Sequence, residues 1–74
     1  MIKELELVVL KRDLLESRLK AGNVGTVVLE HPGGRGFEVE FMTLTGETLA
    51  VITVPSDAVR PVGDGEIAHV RRVA

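Results

Sequence analysis

The stretch Lys20-Ala-Gly-Asn-Val-Gly-Thr-Val-Val28 constrains the fold most. Gly22 and Asn23 both tolerate a left-handed backbone, so the chain can reverse there. The β-branched run that follows has the stiff side chains of a pleated strand. Gly25 lies inside the start of that strand, where a missing side chain marks a bulge or the close approach of another group. A tight turn feeding straight into such a strand points to a small β-barrel.

The rest of the chain supplies the other strands. Residues 5–10, Leu-Glu-Leu-Val-Val-Leu, read as the first, and residues 24–30 as the second, ended by the loop His31-Pro-Gly-Gly-Arg-Gly36. Proline has no N–H to continue a ladder, and three glycines in that loop favour irregular backbone. Phe37-Glu-Val-Glu-Phe41 alternates strictly, putting both phenylalanines and Val39 on one face and Glu38 and Glu40 on the other, as in a half-buried antiparallel strand. Thr48 to Val54 is the next strand, stopped by Pro55. Between Pro55 and Pro61, Ser56 or Asp57 can cap a single 3₁₀ or α turn. Pairing resumes at Val62, or a last strand forms within Glu66–Val73, or that segment is a tail. Leu14, Leu15 and Leu19 fall in a loop with a possible turn. About five short strands with close turn signals indicate a small all-β barrel or sandwich over residues 1–62, with a C-terminal segment at 63–74.

The hairpin around Gly46 allows two registers. A two-residue turn at Thr45-Gly46 places Phe41, Val39 and Phe37 opposite Ala50, Ile52 and Val54. A three-residue loop, Leu44-Thr45-Gly46 with Gly46 left-handed, places them opposite Leu49, Val51 and Thr53. The second is preferred, because threonine at positive φ is unfavourable. Either register leaves an apolar set on the other face, which is Ala50, Ile52 and Val54 in the preferred one and Leu49 and Val51 in the other. Something must cover it, since a contiguous apolar patch in water is unusual for a monomer. The Leu14-Leu15-Leu19 loop or the Ile67-Val70-Val73 segment can fold across, or a partner or second copy can dock.

Composition then excludes chemistry more than it suggests any. The 74 residues contain no cysteine, two histidines and two aromatics, with nine Lys and Arg interspersed among eleven Asp and Glu. Without cysteine there is no disulfide framework and no thiolate zinc site. His31 and His69 match no ligand spacing, so no metal or other cofactor is expected. Ser17 and Ser56 stand in no nucleophile-elbow context, and the 31–36 loop lacks the Gly-Lys-Ser/Thr ending of a phosphate cradle. Both phenylalanines are placed for a core. That leaves no aromatic groove for proline-rich peptides and no stacking platform for single strands. No apolar run approaches the roughly 20 residues of a membrane helix, and the start of the chain has no secretory pattern, so a cytoplasmic location is expected.

Leu7-Val8-Val9-Leu10, Asp13-Leu14, Leu19 to Val28, Phe37 to Phe41, Thr45-Gly46-Glu47-Thr48 and Ala58-Val-Arg-Pro-Val62 resemble the short bacterial proteins of domain-of-unknown-function family 4926. The resemblance spans roughly residues 5 to 62 and implies an SH3-like barrel with no assigned activity. It carries over no catalytic residue. The Gly-x-x-Gly-x-Val portion also resembles the KOW element of ribosomal and transcription-elongation proteins, which would use Lys11, Arg12, Lys20 and Arg35 on nucleic acid.

These readings converge on a non-enzymatic barrel that binds a protein partner or itself as a homodimer, rather than a membrane, a nucleic acid or a small molecule. The expected contact residues are Ala50, Ile52 and Val54 with Ile67 and Val70. Gly22, Gly25 and Gly46 are expected in purely structural turns. The alternatives are the KOW-like nucleic-acid module and an accessory subunit that completes another chain's enzyme site.

Overall fold

A computed structural model describes residues 2–73 and shows the all-β architecture expected, five antiparallel strands in one sheet. The strands are β1 (Leu7–Leu10), β2 (Val24–Glu30), β3 (Gly36–Met42), β4 (Thr48–Pro55) and β5 (Val59–Pro61). Their spatial order is β4-β3-β2-β1-β5, so the first strand pairs with both the second and the last. A 3₁₀ turn at Ser56–Ala58 joins β4 directly to β5. β1 starts two residues later than the sequence suggests, because Leu5 sits at φ +70° in a turn closed by Glu6 N–H donating to the Lys3 carbonyl. The last strand is 59–61, and among the described residues none forms at 62–73. No helix among them is long and apolar enough to cross a membrane.

The core is gathered on the inward face. Val8 and Leu10 of β1, Val27 of β2, Phe37, Val39 and Phe41 of β3, Val54 of β4, Ala58 and Val59 are all buried together. Leu19 joins them from the loop after β1, where a 3₁₀ turn at Leu15–Ser17 is closed by a Leu14–Leu19 bridge. Gly25 lies beneath this cluster, opposite Val8 on β1. A Cβ there would sit 2.5 Å from Val39 Cγ1 and 2.8 Å from Phe41 Cε1, so the close approach expected of this glycine is real.

The hairpin register departs from the one preferred. Its loop is as anticipated: Gly46 N–H donates to the Thr43 carbonyl, Thr43 N–H donates to Glu47, and Gly46 is at φ +98°. A bulge then intervenes between the Phe41 and Met42 pairings, so Met42 faces Thr48 while Phe41 faces Ala50, and Leu49 is the additional residue. From there Val39 faces Ile52 and Phe37 faces Val54. The physical reason lies in the core. Without the bulge, Leu49 would replace alanine beside the buried Phe41 ring and the Thr53 hydroxyl would face Phe37, where desolvating it without a partner is costly. With the bulge, Val54 fills the core and Thr53 turns outward to a carboxylate. A second bulge in β2, between Val27 and Leu29, places Val27 inside and leaves Val28 and Leu29 exposed.

Candidate functional site

Side chains opposite one another in an antiparallel ladder share a face, so the register determines the outward surface. One row runs Arg60, Val9, Val24 across β5, β1 and β2. The next runs Leu7, Thr26, Glu40, Val51 from β1 to β4, and a third contains Leu29, Glu38 and Thr53. Leu7, Val24, Leu29 and Val51 are exposed on it. These four apolar residues therefore stand partly in solvent among threonines and two glutamates, whereas Val9 in the first row is buried.

This geometry corrects the contact set expected on β4. Val54 is only 1% exposed and belongs to the core, and Ile52 and Ala50 are half-buried on the same inward side. The apolar residue that β4 turns outward is Val51, 55% exposed, while Leu49, the extra residue of the bulge, is 43% exposed and lines a groove with Leu19. Ile67 and Val70 are largely in water, and neither folds across the sheet.

The C-terminal segment is held at particular points instead. Arg60 makes two charge-assisted bonds to Glu66, Nη1 to Oε1 at 2.8 Å and Nη2 to Oε2 at 2.6 Å, and Glu66 Oε1 also accepts from Gly63 N–H. The guanidinium first and the Gly63 amide second hold the Glu66 carboxyl down to about 2. Further along, Arg71 Nη2 donates to Asn23 Oδ1 at 2.7 Å and to the Arg18 carbonyl at 3.0 Å. Asn23 Oδ1 also accepts from Lys20 N–H, so the turn that enters β2 is tied to the tail. Val73 then lines an open groove with Ser17, Arg18, Leu19 and Leu49.

A polar cluster links the loop after β2 with β3 and β4. Glu38 Oε2 accepts from the Thr53 hydroxyl and lies 2.7 Å from His31 Nε2, and Glu40 Oε2 accepts from Thr48 at 2.6 Å. An ionised carboxylate only accepts, so the proton in the His31 contact belongs to Nε2. The Thr53 bond, and after it the His31 contact, lowers the Glu38 carboxyl below its ordinary value. Sequence reasoning treats His31 as an isolated loop residue. The Glu30–Phe37 pairing that brings it beside Glu38 follows the β2 bulge, which alternation does not reveal.

Of the basic residues named for nucleic acid, Lys11 and Arg12 follow β1, with Arg12 paired to Asp57 at 3.5 Å, Lys20 is in the turn before β2, and Arg35 is in the loop before β3. Among the described residues no three of His, Cys, Asp and Glu gather as metal ligands would.

A family model described as "Domain of unknown function (DUF4926)" matches residues 4–61, which takes in all five strands. No curated protein and no solved structure gives a significant match.

Proposed function

The chain belongs to the DUF4926 family, and from that premise we propose that it is a non-enzymatic protein-interaction module built as an SH3-like barrel. The barrel reading is supported by a first strand that lies between the second and the last and by a 3₁₀ turn joining the last two strands. The interaction reading rests on one observation, the exposed apolar strip of Leu7, Val24 and Val51 on the outward face, interrupted by Thr26 and Glu40. Several apolar side chains on one sheet face are what an interface uses, with Thr26 and Glu40 between Leu7 and Val51 and with Arg60 at the end of the neighbouring row as polar contacts.

The strip is tested by changing residues on β1 and β2 that support no core contact. Leu7→Ser combined with Val24→Ser leaves the inward face intact. The wild-type chain, fixed to a support and exposed to its host's lysate, retains a foreign partner identified by mass spectrometry, and the double variant releases it. Equal retention by both chains refutes the strip as the contact surface. Retention of RNA or DNA that vanishes with salt would instead favour the KOW-like reading.

A further inference from the structure

β4 presents a free edge of the sheet. Ser56 N–H donates to the Arg35 carbonyl across the β3–β4 seam, and His31 N–H donates to Gly36 on the opposite side of β3. Backbone polarity alternates along an antiparallel strand, so Phe37, Val39 and Phe41 address β4 and their partners Val54, Ile52 and Ala50 address β3. Val51 and Thr53 therefore direct both N–H and carbonyl away from the sheet. β4 is the outermost strand on that side, and among the described residues neither amide has a backbone partner.

Edges of this kind are normally guarded by lysines, inward charges or central bulges. Thr48-Leu-Ala-Val-Ile-Thr-Val-Pro55 contains no charged residue at all. Its two irregularities, the Leu49 bulge and Pro55, lie at the ends and leave the middle regular. The middle is also complementary to itself. In an antiparallel pairing about a two-fold axis at Ile52, Val51 of one copy stands opposite Thr53 of the other, and these are the two residues whose amides and carbonyls point outward. Each Val51–Thr53 rung closes both bonds. On the inward side Ile52, only half-buried in one chain, meets its own copy. On the outward side the row becomes Glu40, Val51, Thr53, Glu38, with two strands separating the carboxylates. No like charges oppose one another directly.

We propose that the occupant of this edge is a second copy of the chain, joined through antiparallel β4–β4 pairing centred on Ile52 into one ten-stranded sheet. The inference rests on the interaction reading and specifies its mode. A single shared strand edge is a small interface, so the association depends on concentration and is sought at millimolar protein.

Sedimentation equilibrium of the full chain tests it with two substitutions at one position. Val51→Pro removes an N–H that no bond within the chain uses, and its ring blocks the rung. It abolishes dimerisation, or raises the dissociation constant at least about thirtyfold, since the two-fold axis doubles the loss. Val51→Thr keeps the amide and leaves the constant within about threefold. Amide exchange is the second measurement and needs no variant: protection at Val51 and Thr53 rises with concentration, whereas Ile52, bonded to β3, is protected throughout. A Val51→Pro dimer as tight as wild type overturns the edge mode while leaving the interaction reading intact. So do Val51 and Thr53 amides that exchange freely at every concentration. A wild-type chain that stays monomeric at millimolar concentration overturns self-pairing, and the lysate experiment then decides separately whether a foreign partner exists.

Discussion

Gly25→Ala isolates a packing effect from a backbone one. Gly25 has no positive φ, so alanine meets no conformational strain, and in the unfolded chain the substitution should favour folding by about 0.4–1 kcal/mol. Against this stands one carbon atom placed 2.5 Å from Val39 Cγ1 and 2.8 and 2.9 Å from two atoms of the Phe41 ring. Neither neighbour can turn aside, because Val39 and Phe41 lie in the buried cluster. Forcing a methyl into a filled core costs roughly 1–3 kcal/mol, and with two rigid neighbours the upper part of that range applies. The expected net loss is about 2 kcal/mol, or roughly 8–16 °C in Tm for a domain of this size. Urea unfolding at unchanged m-value measures it. A double-mutant cycle with Val39→Ala supplies the internal check: that change removes Cγ1, so Gly25→Ala must cost less in the Val39→Ala background than alone. A neutral or stabilising Gly25→Ala, or a cycle with no coupling, refutes the close approach.

The other predictions concern the hairpin, the carboxylates and the tail. Gly46→Ala, at φ +98° with open space around it, loses about 1 kcal/mol from backbone strain alone; thermal unfolding reads it, and no loss would mean a different loop. Glu38 and Glu66 both have folded-state values below their unfolded ones, so their stabilisation is complete above the ordinary carboxylate range and disappears as pH falls through the folded values. Acid unfolding should therefore lose this part of its pH dependence below pH ~4.5 in a Glu38→Gln/Glu66→Gln double variant, and an identical acid limb would contradict it. Thr53→Val removes the main cause of the Glu38 shift, so the Glu38 carboxyl should titrate higher by NMR, and an unmoved titration would assign the shift elsewhere. Arg71→Ala should speed amide exchange at Lys20, whose N–H shares the Asn23 acceptor, while leaving the sheet amides unchanged; equal exchange would show that the tail does not brace that turn.

Features carried by neighbouring residues are legible in the amino-acid order alone. Alternation at 37–41 requires one apolar face wherever that strand lies, and the β-branched run from Val24 requires a strand whose bounds, 24–30, are those observed. Positive φ at Gly46 follows from the chemistry of its loop. The family resemblance over roughly 5–62 likewise coincides with the matched residues 4–61. The outward face of β4 is not legible in this way, since it depends on the parity of the strand.

Parity belongs to the tertiary structure. The loop at Gly46 by itself leads to Leu49, Val51 and Thr53 inside, and a one-residue bulge reverses that because the cavity beside Phe41 and Phe37 accepts Ala50 and Val54 better than Leu49 and a bare threonine hydroxyl. The fifth strand is similar: Val59–Pro61 pairs with Val8–Leu10, some fifty residues earlier in the chain, so no local pattern announces it. Local backbone and pattern energetics determined which segments are strands and where the chain turns. Burial, which compares residues distant in sequence for the same interior space, decided which side of each strand the protein keeps in its core and which side it leaves in solvent.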